Sequence, residues 1–363
     1  MASLFGWLSF IPVWWFADMV RGVARFTYDE SVLPLAEREL IARLRRFSFD
    51  RRRLRRAERV ITGIGDDASV LRVPAGHEIL LTTDFSLEGV HFKREWHRAE
   101  VVGHRCLARG LSDIAAMGGE PLAAFLSLGL PRELKQGWVD EFMRGLLKLA
   151  RRCGVQLAGG DTAQSPGGIL ADIVVLGSAP RGKAILRSGA YPGDRIYVSG
   201  ELGASAAAVE LLYAGKRLPL ALDRRKAAPE PRIAIGKILR QKRLASAMID
   251  LSDGLSTDLA HICEESGVGA EIAEQSIPRA SLGRAARVSL DHALHGGEDY
   301  ELLFTSAKQV PSKIAGVRIT EIGRITRARK ITLISESGSR LTLRAAGWEH
   351  FCPSGAHRKR LPR

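Results

Sequence analysis

The chain has 363 residues, of which 45% are hydrophobic and 26% charged. That composition excludes disordered and fibrous classes, and the length accommodates two domains of ordinary size with a core in each. The net charge of +14 points to anionic partners, while Cys106, Cys153, Cys263 and Cys352 are too scattered for zinc or a disulfide framework and fit reduced thiols in a cytoplasmic protein.

The first segment, "MASLFGWLSFIPVWWFADMV", is uncharged before Asp18 and holds three of the six tryptophans. It lacks the basic start of a signal peptide and falls short of the ~20 apolar residues that span a bilayer. Residues 1–34 therefore read as an apolar extension, either unpacked or lying in a membrane interface. "LAERELIARLRR" then has helical spacing, with Leu35, Leu40, Ile41 and Leu44 on one face. Nine arginines crowd residues 43–59, and the tail at 354–363 is basic again. Aromatic residues are not interleaved with these runs as a base-stacking platform needs, so a solvated basic face is preferred and no nucleic-acid partner is expected.

From Gly63 onward a grammar repeats: a short apolar run, then small residues and an aspartate. "ILLTTD" ends at Asp84, "VQLAGGD" at Asp161, and "SAMIDLSDG" carries Asp250 and Asp253. "ADIVVLGSAP" and "DRIYVSG" read as further strands. "EVVGHRCLARGLSDIAAMGG" and "GWVDEFMRGLLKLARRCG" read as amphipathic helices, the second closed by Gly154. Strands mixed with long helices define an α/β or α+β fold. The turn-rich residues 179–194 divide it into domains spanning 35–180 and 181–353.

The stretch "GIGDDASV" fits G-x-G-x-x-A, yet Asp66 and Asp67 stand where a dinucleotide pyrophosphate would approach. No acidic residue of the ribose-binding kind follows at the expected place, because Asp84 lies inside "TTD". A metal suits this turn better than a bare phosphate. A single such aspartate is ordinarily a cap or a turn former. Repetition changes the reading, since carboxylates concentrated in glycine-rich turns repel each other unless a hard cation such as Mg²⁺ offsets the charge. No Walker A sequence, protein-kinase motif set or G-x-S-x-G elbow is present.

"GIGDDASVL", "TTDFSLEGVHF", "GLSDIAAMGGEP", "GGDT", "RSGAYPGD", "IDLSDGLSTDL" and "GGEDYEL" follow one another in this order. The series resembles the thiamine-monophosphate kinase family, within the superfamily that includes aminoimidazole ribonucleotide synthetase, from about Leu35 to Phe351. The resemblance implies a two-domain fold with an N-terminal α/β dimerisation domain and a C-terminal α/β domain. It implies transfer of the γ-phosphoryl group of ATP to thiamine monophosphate, several Mg²⁺ ions, and a homodimer. Matched motif by motif, it assigns Asp67, Thr82, Thr83, Asp84, Asp113, Asp161, Asp250 and Asp253 to metal. Gly160, Arg187 and Ser252 fall to ATP, and His91, Glu298 and Trp348 to the thiamine phosphate.

No general base is assigned, because the acceptor is already an anion and the obstacle is repulsion between polyanions. Gly110 departs from the pattern, standing where relatives more often show asparagine in the turn expected before Asp113. The rival readings are a related ATP-using enzyme with another acceptor, and a basic adaptor that binds nucleic acid or membrane. The adaptor reading leaves the aspartate turns unexplained.

Overall fold

The computed structural model describes residues 35–48, 59–218, 228–282 and 286–351. The apolar extension, the centre of the arginine run, Cys352 and the basic tail lie outside them.

The chain begins with helix α1 (Glu37–Ser48), the short pair β1 (Val60–Thr62) and β2 (Val70–Leu71), and strand β3 (His77–Leu87). Helix α2 (Ala99–Ala116), β4 (Glu120–Pro131), α3 (Gln136–Cys153), β5 (Gln156–Ser165) and β6 (Leu170–Pro180) follow. Strands β3, β6, β4 and β5 form a sheet in that order, with β4 and β5 parallel and the other pairs antiparallel. Helices α2 and α3 cover one face, and Leu107, Leu111, Phe142, Leu146 and Ile173 pack there without exposure. Gly154 ends α3 in the left-handed conformation at φ 68°, as expected of a terminal glycine.

The remaining elements are β7 (Arg195–Ser199), α4 (Ala204–Tyr213), α5 (Ile233–Gln241), β8 (Ala247–Asp250), α6 (Leu255–Ser266) and β9 (Gly269–Ala273). After the single turn Glu274–Ser276 come α7 (Leu290–His295), β10 (Leu302–Ser306), β11 (Lys313–Ile314), β12 (Val317–Thr326), β13 (Ile331–Ile334) and β14 (Arg340–Thr342). They build a second sheet in the order β14-β13-β9-β12-β7-β10-β8, with β11 paired to β12. Its pairs are antiparallel except β13 with β9. The mixture is α+β, because among the described residues only two strand pairs run parallel.

Helix α2 joins the two sheets. One stripe of it enters the first core through Leu107 and Leu111, and Ala115 and Ala116 enter a separate cluster with Ile235, Leu239, Met248 and Phe304. Arg240 reinforces this contact by donating to Gly118 O at 2.6 Å, while Lys237 pairs with Glu120 at 2.8 Å.

Three expectations are corrected. Ile41 points outward with 37% exposure, because Leu40 and Leu44 carry the buried stripe of α1. Asp84 and Asp161 lie within β3 and β5 rather than at their ends. Asp113 sits inside α2, so "GLSD" is a helical segment and not a turn. Gly110 there serves a close approach of helix to sheet, since a Cβ would stand 2.7 Å from Val175 Cγ2.

Candidate active site

Strand β3 and helix α2 run past one another so that Thr82 and Asp84 face Asp113. The Thr82 hydroxyl donates to Asp113 Oδ2. Asp250, the last residue of β8, reaches the same region, where Ser112 Oγ donates to its Oδ2 at 2.7 Å. Burial pushes the Asp84 carboxyl up to about 7, and the charges of Asp113 and Asp250 add to the effect. Asp250 is likewise raised to about 7, by burial first and Asp113 second. Burial raises Asp113 as well. Arg187 opposes the trend at Asp113, Asp250 and Asp253, which places its guanidinium within the field of all three.

The motif loops of the second sheet meet beside this cluster. Glu298 N donates to Ser252 O at 2.8 Å, and Trp348 N donates to Asp253 O at 3.1 Å. The three loops are tightly apposed, as a Cβ on Gly347 would come within 1.9 Å of Asp253 O. His91 lies close by, its ring 5.8 Å from that of His350, which in turn packs edge-on to Trp348 at 5.6 Å. Its Nδ1 accepts from Leu87 N at 3.0 Å, so the proton of the neutral ring is on Nε2. Burial and then Arg109 lower His91 to about 4, keeping it neutral at pH 7. His91, Ser252, Asp253, Glu298 and Trp348 thus come together from distant parts of the chain.

Glu298 is held in a way the motifs did not reveal. Its backbone is left-handed at φ 63°. Its two carboxylate oxygens receive Arg105 Nη2 and Arg109 Nη2, each at 2.5 Å. Both arginines come from α2 and are nearly buried, with side-chain exposures of 4% and 11%. Arg109 also donates to Phe85 O at 3.0 Å, tying β3 to the Glu298 turn. The available signal was two arginines at i and i+4 on a helix with an apolar surround, a spacing that places them on one face. Buried cations on a helix demand buried anions.

Other expected residues stand apart. Thr83 points to the opposite face of the sheet, where its hydroxyl donates to Asp172 Oδ1 at 2.7 Å. Asp67 and Asp161 are exposed, and Asp161 Oδ1 accepts from Thr162 N at 2.8 Å. The "GIGDDASV" loop carrying Asp67 is nevertheless fastened to β5, because Ser69 Oγ donates to Ala158 O at 2.7 Å. Gly160 has φ 147° and a Cβ there would stand 1.8 Å from Leu126 O, so glycine is required by the approach of β4.

Among the described residues no three His, Cys, Asp or Glu side chains close around a metal by themselves. The Asp84 region still suits a hard divalent cation. Asp84 Oδ2 is buried without a hydrogen-bond partner, and its neighbours are oxygen donors whose charges repel. Mg²⁺ commonly takes one or two carboxylates and completes its shell with water and substrate phosphate.

The two-sheet fold and this interdomain cleft define a class. Residues 65–179 match the family model described as AIR synthase related protein, N-terminal domain, and residues 191–336 match the corresponding C-terminal domain. Thiamine-monophosphate kinase of Salmonella typhimurium is 38% identical over 339 residues, covering 88% of this chain and 99% of the relative. The solved thiamine-monophosphate kinase of Stenotrophomonas maltophilia superposes with a TM-score of 0.71 at 34% identity, covering 83% of this chain and 96% of that one. A structure of AaThiL complexed with AMPPCP and TMP superposes with a TM-score of 0.68 at 33% identity, covering 77% and 89%. The chain belongs to the thiamine-monophosphate kinase family.

Two outcomes follow from this geometry. Asp84 and Asp250 titrate at about 7 in the fold and near 3.8 when unfolded, so their contribution is complete below pH 3.8 and is lost as pH rises through 7. Thermal melts in chelator will show stability falling as pH rises from about 4 to about 7 and levelling off above that, and Asp84→Asn will flatten that fall. Arg109→Met, which leaves Glu298 half-paired beneath the cleft, will lower the denaturant-derived stability by about 3 kcal/mol.

Proposed function

We propose that this chain transfers the γ-phosphoryl group of ATP to thiamine monophosphate, giving thiamine diphosphate. The observation that carries the reading is the cleft itself. Half-buried Asp84 and Asp113 and buried Asp250 stand with Arg187 beside the Ser252, Glu298 and Trp348 loops, in a chain 38% identical to a thiamine-monophosphate kinase along almost its whole length. A related structure complexed with AMPPCP and TMP supports this reading.

The acceptor phosphate monoester is anionic near neutral pH, so no base is needed to create the nucleophile. Positioning and charge neutralisation supply the catalysis. Thr82, Asp84, Asp113, Asp250 and Asp253 would hold Mg²⁺, which when bound offsets phosphate charge and lowers the carboxylate repulsion. Asp67, Thr83 and Asp161 lie on the edge and open face of the first sheet and extend the set of oxygen donors. Arg187 forks onto phosphate oxygens of ATP. Gly160 and the Ser252 loop shape the nucleotide side of the cleft.

On the acceptor side, His91 presents an Nε2–H to the phosphate while its neutral ring adds no charge. Glu298, fixed by Arg105 and Arg109, accepts from the aminopyrimidine amine. Trp348, 45% exposed, offers its face to the cationic thiazolium, a contact worth ~1–2 kcal/mol. Arg109 is a positioning residue, because it reaches the reaction only through Glu298 and β3.

We further place the enzyme in the cytoplasm as a homodimer. Cys106, Cys153 and Cys263 are free thiols, as expected in a reducing compartment. Ile79, Leu81 and Phe85 line the sheet face opposite α2 and α3, with exposures of 54%, 67% and 55%. Val174 and Leu176 continue that face on the paired strand. An apolar sheet face of this kind is buried by a second layer in stable folds, and a second copy supplies one.

The function is tested by incubating the full chain with ATP, Mg²⁺ and thiamine monophosphate and separating thiamine diphosphate by chromatography. Formylglycinamidine ribonucleotide and selenide serve as alternative acceptors. Product is expected with thiamine monophosphate alone, falling by on the order of 100-fold or more in Asp84→Asn and Asp253→Asn. ADP formation driven only by another acceptor would move the assignment within the superfamily. For the dimer, light scattering is expected to give twice the 39.6 kDa chain mass, and Leu81→Asp to give a monomer.

A further inference from the structure

Away from the cleft, the second sheet carries a cavity of about 380 Å³ whose chemistry the reaction does not use. Its walls come from the loop after β7, the segment after β9, the chain around Ser281 and Arg287, and the start of β12. Arg279, Arg287 and Arg318 line it together with a single carboxylate, Glu201. Among the described residues none of these three guanidinium groups is in an ion pair with a carboxylate. Glu201 is engaged with the wall, its Oε2 accepting from Ser281 N at 3.3 Å. The hydroxyl of Thr320 also lines the cavity, and its Oγ1 is buried with no hydrogen-bond partner.

Three cations against one anion, with a buried hydroxyl left unsatisfied, describe a space built for an anion with several acceptor oxygens. Guanidinium groups match phosphoryl oxygens two at a time, and a hydroxyl donor completes the set. The volume lies in the range of small-molecule sites, about 300–1,000 Å³, and the cavity is open to solvent on the side of Arg287 and Arg318. Arg318 and Glu201 also border a second cavity of about 260 Å³ that reaches Glu298. The arginine-lined cavity therefore adjoins the active site through a shared wall.

We propose that this cavity is a second anion site that takes a small phosphorylated molecule by its phosphoryl oxygens. The inference does not rest on the kinase reading, since it follows from the cavity lining alone. Because Arg318 belongs to both cavities, an occupant is felt at the Glu298 turn.

The test is calorimetric titration of the full-length protein with inorganic pyrophosphate in chelator, where the cleft carboxylates repel a bare phosphate. One saturable site per chain is expected. Arg279→Gln combined with Arg318→Gln will weaken binding at least tenfold. Thr320→Val, nearly isosteric and with no hydrogen bond to lose, will weaken it severalfold with the melting temperature retained. Parallel titrations with ADP and with thiamine monophosphate separate a nucleotide source from a thiamine phosphate source, the tighter probe identifying the class. Absence of saturable pyrophosphate binding in the parent protein overturns the proposal. So does binding that survives the arginine and threonine changes but is lost in Arg187→Gln, which would place the probe in the cleft.

Discussion

A helix buried on every side can carry charge only where a partner is brought to it, and α2 is such a helix. Fourteen of its eighteen residues are buried. Yet it holds Arg105, Arg109 and Asp113 within five turns of chain that also pack two cores. Each of those charges recruits a partner from another part of the molecule: Glu298 from the second sheet for the arginines, and the Thr82 hydroxyl from β3 for the carboxylate. Desolvating an unpaired ion costs several kcal/mol, so these pairings decide how the two sheets sit relative to α2. The active cleft is the gap left between them.

The same cleft holds two opposite electrostatic arrangements a short distance apart. Glu298 is fully matched by two guanidinium groups and acts as a fixed polar wall. Asp84, Asp113 and Asp250 are under-matched: Arg187 tempers Asp113 and Asp250, and Arg109, already paired with Glu298, tempers Asp84. An under-matched carboxylate cluster is poorly suited to stabilising the fold and well suited to gripping a cation together with polyphosphate. On the proposed reading the matched side orients the acceptor, and the unmatched side handles the charge that moves. The division accounts for a site rich in aspartates that needs no general base.

Much of this was legible in the linear chain. The aspartate-bearing motifs pointed to the cleft because chemistry of this kind needs particular residue types in close order, as in "TTD" and "IDLSDG". Helices α2 and α3 and the strands β6 and β7 were legible from periodicity and their glycine ends. Other features were not. Whether Thr83 faced the cluster depended on strand alternation, and β3 turns it to the opposite face from Thr82 and Asp84. "GLSD" read as a turn by composition, yet tertiary packing made it helical, with Gly110 meeting Val175. Ile41 fitted the helical stripe within the tolerance of the pattern, and the actual core lay on the Leu40 side.

By itself the sequence determined the class of chemistry, the order of the motifs and the family, since these depend on residue identity and local spacing. Only the tertiary structure decided which charges meet. Arg105 and Arg109 stand 193 and 189 residues before Glu298, and no local pattern encodes a contact at that separation. The arginine-lined cavity has the same origin, its walls being drawn from four separated segments. Electrostatic partnership falls off with distance in space and not along the chain, and it is the folding of two sheets about one helix that sets those distances.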